Sequence, residues 1–291
     1  MLTESAASPR TAPVVARTPE ELAGLRPRLG HVALVPTMGA LHIGHRSLIA
    51  TGREHADSVV ASIFVNPLQF GPNEDYGRYP RDFDADFAVC AEEGVDVVYA
   101  PSVEVMYPGE QIVTVSPGRM GEVLEGASRP GHFAGVLTVV NKLFNMVQPD
   151  IALFGQKDAQ QLAVIRRMVR DLSMPITVMG GATVRDADGL ATSSRNVYLS
   201  PDERESALAL SRALLSGADA SARGPVGIVG AARAVLDEAA RATPPVELDY
   251  LVLVDPQSFT EVADDYRGDA VLAVAARVGA TRLIDNVPLT L

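Results

Sequence analysis

The apolar run Val32-Ala33-Leu34-Val35 leads directly into Pro36-Thr37-Met38-Gly39-Ala40-Leu41-His42-Ile43-Gly44-His45, where a helical pattern begins. A buried strand, a glycine turn and a helix start in that order constrain the stretch to a strand–helix unit of an α/β fold. A helix start presents unpaired N–H groups and a partial positive charge, which attract anions. Two imidazoles three residues apart add donors for phosphate oxygens. The junction therefore suits a nucleotide triphosphate; on its own it also reads as a glycine turn carrying two surface histidines.

The alternation continues along the chain. Strands are expected at 32–36, 58–65, 95–99, 151–154 and 176–180, and helices at 45–56, 81–93, 134–147 and 158–172. In the last helix Leu162, Ile165, Val169 and Leu172 fall on one face. A Gly/Pro-rich excursion over 108–131 holds a short expected strand at 112–115. Alternating units of this kind give a doubly wound parallel sheet with ligands at the rim where the strands end. Ser200-Pro201-Asp202-Glu203 is a capping box that opens a new helix. A loop is expected within 217–230, which is rich in Gly, Ala and Ser, and strands follow at 246–254, 270–276 and 281–286. Strands without intervening helices point to a smaller C-terminal α+β domain. The expected division is an arm over 1–12, an α/β domain over 13–186 and the small domain over 187–291.

Composition narrows the function classes. With 291 residues, 47% hydrophobic and 21% charged, the chain can bury a substantial core. No apolar run approaches the ~20 residues that span a bilayer. The polar start, MLTESAASPRTAP, lacks the apolar segment of a secretory signal and reads as a disordered arm, so a cytoplasmic location is expected. The single cysteine, Cys90, rules out an internal disulfide and a cysteine-based zinc site. It lies in phase with Phe83 and Phe87 and reads as core. A net charge of −11 opposes binding to nucleic acid and to anionic membranes. It also opposes ATP, so each basic residue near a glycine turn matters.

Three further segments sit where strands end. Phe64-Val65-Asn66-Pro67-Leu68-Gln69-Phe70 presents the amides of Asn66 and Gln69 between apolar residues, suited to a small hydroxylated ligand or simply to satisfying the loop backbone. Phe154-Gly155-Gln156-Lys157-Asp158-Ala159-Gln160-Gln161 repeats the strand–glycine–helix order. Lys157 is expected in the first helical turn, where a cation opposes the dipole unless an anion binds. Asp158 and Gln161 share a helix face, and Asp158 could equally be a plain N-cap. The third segment runs from Arg185 to Asn196 and ends Thr192-Ser193-Ser194-Arg195-Asn196, which reads as a phosphate grip or a polar linker. No P-loop, no G-x-G-x-x-G after a strand, no G-x-S-x-G elbow and no H-E-x-x-H helix is present.

Together these segments resemble the pantoate–β-alanine ligase (pantothenate synthetase) family of the HIGH-motif nucleotidyltransferase superfamily. The resemblance runs from about residue 30 onward and rests on PTMGALHIGH at 36–45, SIFVNPLQF at 62–70, YPRD at 79–82, LEGASRPGHFAGV at 124–136, FGQKDAQQL at 154–162, DGLATSSRN at 188–196 and TRLIDN at 281–286. It implies a Rossmann-like sheet and a two-step ligase. Pantoate attacks the α-phosphate of MgATP to give pantoyl adenylate and pyrophosphate. β-Alanine then attacks the acyl carbon and releases AMP and pantothenate. By the same resemblance Met38, Gly39, Ala40, Leu41, His42, Ile43, Gly44 and His45 hold ATP, with His45 the proton donor. Gly155, Gln156, Lys157, Asp158, Val184, Thr192, Ser193, Ser194 and Arg195 complete the ATP site. Gln69, Gln161, Asn66, Pro36 and Thr37 bind pantoate and β-alanine, Gln69 and Gln161 holding pantoate and Gln69 also bordering β-alanine. His42, His45, Lys157 and Arg195 form the catalytic set. ATP is a substrate, Mg²⁺ accompanies it with its ligands left open, and a homodimer is implied. The family pattern carries Glu where Gln156 stands and Met or Leu where Thr192 stands.

In-line attack builds charge on phosphate oxygens, for which Lys157, Arg195 and the two histidines are the available cations and donors. The polar stretch 71–86 beside Gln69 is a candidate lid. A nucleotidylyltransferase that stops at the adenylate would use the same junction, and a nucleotide sensor with a dead site would keep only its shape.

Overall fold

The computed structural model describes residues 12–72 and 74–291. Apart from Ala12, the expected N-terminal arm lies outside them. Strand β1 (Val14–Ala16) and helix α1 (Pro19–Leu25) precede β2 (Val32–Thr37), α2 (Ile43–His55), β3 (Ser58–Ile63), α3 (Phe83–Glu92) and β4 (Val97–Tyr99). Two short helices, α4 (Val103–Met106) and α5 (Glu125–Ser128), lead to α6 (His132–Val147), β5 (Ile151–Gly155), α7 (Ala159–Asp171) and β6 (Thr177–Gly181). The rest is α8 (Pro201–Asp219), α9 (Gly224–Ala239), β7 (Val246–Val254), β8 (Asp269–Val278) and β9 (Thr281–Thr290).

Among the described residues, β1 to β6 form one parallel sheet in the order β1-β4-β3-β2-β5-β6. Successive residues of β2 serve opposite faces. Val32 and Leu34 join the core beneath α1, α6 and α7, while Ala33 and Val35 pack with Leu48, Ile49 and Cys90 of α2 and α3. Cys90 is thus core, as its phase with Phe83 and Phe87 predicts. The chain lays down β3 and β4 to one side of β2, then β5 and β6 to the other. The crevice at the ends of β2 and β5 is therefore the switch point where open α/β sheets take their ligands. The histidine turn and the Lys157 turn are the two segments that leave these strands.

The C-terminal sheet is antiparallel, ordered β7-β8-β9, and closes its own core against α8 and α9. The Ser200 capping box and Pro201 open α8 as expected. Among the described residues no helix is long and apolar enough to cross a membrane.

Two expectations change. Residues 112–115 form no strand; Ile112 and Val113 are 83% and 78% exposed, and their β-branched side chains found no neighbouring strand edge. The loop expected within 217–230 is there, as residues 220–223 between α8 and α9. Gly217 is a packing glycine: a Cβ there would lie 3.1 Å from the Ile228 carbonyl oxygen and 3.4 Å from the Ala232 Cβ. Leu172 lies just past α7 and is 56% exposed, while Leu162 and Ile165 are core. The sheet also has an edge that composition did not reveal, β1, with α1 held by a Thr18–Glu21 capping box.

Candidate active site

The turn after β2 is braced from within. The Thr37 hydroxyl donates to the Ser62 carbonyl at 2.7 Å and accepts the Gly39 N–H at 3.2 Å. The Asp86 carboxylate, from α3, accepts the N–H groups of Ala40 at 3.0 Å and Leu41 at 2.7 Å. This holds Ala40 at φ 51° and Gly39 at φ 82°, where a Cβ would stand 2.6 Å from Asp86 Oδ2. Asp86 is almost wholly buried, and that burial pushes its carboxyl pKa up against the two hydrogen bonds.

The histidines then cap α2 themselves. His42 is the N-cap and its Nδ1 accepts the Gly44 N–H at 3.1 Å; His45 Nδ1 accepts the His42 N–H at 3.3 Å. The N–H groups of residues 39–42 and 44 are thereby spent inside the protein, which corrects the expectation that this turn meets an anion with bare backbone donors. Burial lowers the pKa of both rings. The Lys157 charge adds to the effect at His42, and the His42 ring adds to it at His45, which falls to about 3. Each neutral ring accepts at Nδ1 and so carries its proton on Nε2. The two rings lie 4.1 Å apart, centroid to centroid, as a pair of neutral donors.

The segment after β3 carries Gln69 on a 3-10 turn, Pro67–Gln69. Gln69 Nε2 donates to Met38 Sδ at 3.1 Å and its Oε1 accepts from Asn66 Nδ2 at 3.0 Å. Asn66 is spent entirely within the protein: Nδ2 also donates to the Gly135 carbonyl, and Oδ1 accepts from the Tyr107 hydroxyl and the Leu68 N–H. It orients Gln69 and has no amide capacity left for a ligand, which corrects the expectation that Asn66 itself binds substrate. Pro36 and Thr37 likewise shape the end of β2. On the far side the Gln69 carbonyl accepts from His132 Nδ1 at 2.9 Å and from Arg129, whose guanidinium grips Glu74 through two bonds.

Lys157 lies one residue before the N-cap Asp158 of α7, and not in the first helical turn as expected. The cause is Asp158, whose ψ of 61° delays the helix by a residue. The Lys157 Nζ is 3.7 Å from Asp158 Oδ1. Gln156 N donates to the Gly181 carbonyl at 2.7 Å and so ties the turn to β6.

A cavity of about 550 Å³ opens between the sheet rim and the C-terminal strands, and Lys157, Asp158, Gln161, Ser193 and Arg195 all line it. None of residues 36–45 lines it, and neither does Asn66 or Gln69; the histidine turn is linked to it through the charges of Lys157 and Asp158, which both act on His42 and His45. Around the 185–196 loop the roles divide. The Val184 carbonyl accepts the Thr192 N–H, and the Thr192 hydroxyl donates to Asp186 at 2.6 Å, so both are turned inward. Ser193 caps the short helical turn Ser194–Tyr198. Arg195 reaches Asp75 of the candidate lid at 3.2 Å.

The sequence assigns no role to His132 or Asn286, and it puts Asp86 at the end of the candidate lid, whereas residues 83–86 open α3 and Asp86 is buried. Asp86 had a legible signal, being a carboxylate in phase with Phe83, Phe87 and Cys90 on an otherwise apolar helix face. The other two act through backbone carbonyls distant in sequence and left no local pattern.

A sequence model of the family described as Pantoate-beta-alanine ligase matches residues 14–288. The pantothenate synthetase of Thermobifida fusca is 72% identical over 100% of both chains, and that of Streptomyces coelicolor 54% over 96% of both. Among solved structures, the pantothenate synthetase from Thermus thermophilus superposes with a TM-score of 0.87 at 48% identity, covering 94% of this chain and 98% of the other. The pantoate-beta-alanine ligase from Francisella tularensis, complexed with beta-gamma ATP and beta-alanine, gives 0.76 at 32% identity, covering 95% and 97%.

Proposed function

This chain belongs to the pantoate-beta-alanine ligase family and joins pantoate to β-alanine with ATP, and we propose that it does so in two steps at the switch-point cavity. In the first, a pantoate carboxylate oxygen attacks the α-phosphorus, the bond to the β-phosphate oxygen breaks, and pyrophosphate leaves. In the second, the β-alanine amine attacks the acyl carbon, the amine gives up a proton, and AMP departs with the acyl oxygen.

The observation that carries this reading is the convergence of Lys157, Gln161, Ser193 and Arg195 on one cavity, with the Lys157 charge acting on two neutral imidazoles. Lys157 and Arg195 supply positive charge where the triphosphate develops it negative. His42 and His45 donate through Nε2–H, His45 serving the leaving oxygen. Preorganised donors of this kind are worth about 2.7–4 kcal/mol each. Met38, Gly39, Ala40, Leu41, Ile43 and Gly44 form the wall against which the nucleotide lies, and Gly155, Gln156, Asp158, Val184, Thr192 and Ser194 shape the opposite side. Gln69 and Gln161 take pantoate; Asn66, Pro36 and Thr37 hold Gln69 and its strand end in place. No group of three His, Cys, Asp or Glu side chains among the described residues is placed to hold a metal ion. Mg²⁺ is read as part of the substrate, MgATP.

We also propose the two-domain division near residue 186, a cytoplasmic enzyme and a homodimer. The separate cores under the two sheets support the division. AMP formation from ATP, pantoate and β-alanine tests the function: AMP should appear one for one with pantothenate and require both acids. AMP release without amide formation would instead favour an enzyme that stops at the adenylate.

A further inference from the structure

The segment TRLIDN at 281–286 lies in the small sheet, yet two of its residues serve the nucleotide turns. Along β9, Thr281, Leu283 and Asp285 are buried while Arg282 and Ile284 are partly open, as the period of two requires. Asn286 breaks the rhythm: it lies on the open face and is only 3% exposed. What covers it is the turn after β5. Asn286 Nδ2 donates to the Gln156 carbonyl at 3.0 Å and to the Lys157 carbonyl at 2.7 Å, spending both of its hydrogens on consecutive peptide groups. Its Oδ1 faces Gln156 Nε2 at 3.5 Å.

Asp285 looks after the other wall. Its carboxylate takes Arg185 through two bonds, at 2.6 and 3.1 Å, and accepts the Asn286 N–H at 2.8 Å. Arg185 also bonds the Gly189 carbonyl and pairs with Ala191, closing the hairpin from which Ser193 and Arg195 project. One dipeptide of β9 thus braces both cationic loops of the cavity.

We propose that Asn286 is a positioning residue for adenylation, fixing the peptide plane from which Lys157 reaches the phosphates. The proposal rests on the assignment of Lys157 to the phosphates. Asn286 touches no substrate. It acts because two carbonyls pinned by one amide cannot rotate independently, and the Lys157 Cα follows them. Movement of about 1 Å at a catalytic group costs on the order of 10² in rate.

The test is ATP–pyrophosphate exchange in N286A, K157A and the double variant, with thermal unfolding as the check on folding. N286A should lower the exchange kcat about tenfold to a hundredfold. Its pantoate KM should stay near wild type, as should its rate with supplied pantoyl adenylate and β-alanine. In the K157A background N286A should change exchange by less than about threefold, because a residue acting through Lys157 has nothing left to position. Full additivity in the cycle, or N286A with wild-type exchange, would overturn the proposal. Wild-type exchange in K157A would instead overturn the assignment of Lys157. If N286A does not fold, N286S keeps one donor and should retain more exchange than N286D, which keeps none; equal loss in both would also refute the role.

Discussion

A single methyl group at Gly135 probes how rigidly the Gln69 turn, proposed to take pantoate, is held. Gly135 lies in α6 against the Pro67–Gln69 turn, and its carbonyl accepts from Asn66. A Cβ there would sit 2.7 Å from the Gln69 nitrogen and closer still to the carbonyl of Leu68. Such contacts settle near ~3.5 Å, so G135A must drive the turn and the helix apart by about 1 Å. Two effects oppose each other in stability. Replacing a helical glycine by alanine gains up to ~1 kcal/mol, and overpacking against backbone costs ~1–3 kcal/mol. The obstacle is main chain that cannot swing aside, so the overpacking term wins and the unfolding temperature should fall by a few degrees. The functional effect should be larger. Gln69 moves with its turn, and a shift of about 1 Å costs on the order of 10² where a bound group must be placed accurately. Steady-state assays with pantoate varied should give a KM raised at least about tenfold. ATP affinity, titrated without pantoate, should stay within about twofold, because the Lys157 turn lies on another strand end. A wild-type pantoate KM would refute the reasoning, and so would equal weakening toward both substrates.

Two further outcomes follow from the electrostatics. His45 titrates near 6.5 when unfolded and at about 3 when folded, because burial and His42 disfavour its charged form. Between those values the unfolded chain binds more protons, so stability should fall as the pH drops from about 6.5 toward 3. H45N should flatten that part of the pH–stability curve, and unchanged slopes would show that the ring is not held neutral by the fold. Arg195, partly exposed and paired with Asp75 on the cavity lining, would exchange that carboxylate for phosphate under the proposed function. An exposed pair is worth ~0.2–1 kcal/mol, so D75N should lower the KM for ATP by up to about fivefold, whereas a raised KM would mean that the pair helps to build the site.

The sheet was legible because its strands are short β-branched runs closed by glycine or proline, and both faces of β2 must be apolar to lie between two helix layers. The four rim segments were legible for the same reason, since a strand end followed by a glycine turn has only one place to go in a parallel sheet. What stayed hidden was the division of labour within each segment. Asn66 and Gln69 look alike in the sequence, but one spends its amide on Gly135, Tyr107 and its neighbour while the other is held toward Met38. His42 and His45 read as ligands to an anion, and the capping geometry that fixes their protons on Nε2 depends on φ and ψ values that no spacing encodes. Ile112 and Val113 carry strand propensity with no edge to pair with. Asn286 and Asp86 were hidden for a third reason: each braces a backbone far away in the chain, and only the packing of β9 against the turn after β5, or of α3 behind the turn after β2, brings the partners together.

ATP–pyrophosphate exchange with pantoate present and β-alanine omitted isolates the adenylation step. If the switch-point cavity builds an acyl adenylate before the amine arrives, labelled pyrophosphate should enter ATP, the exchange should require pantoate, and K157A should lose about 10²–10³ of it. Pantothenate synthesis at full rate with no exchange under those conditions would contradict the two-step account.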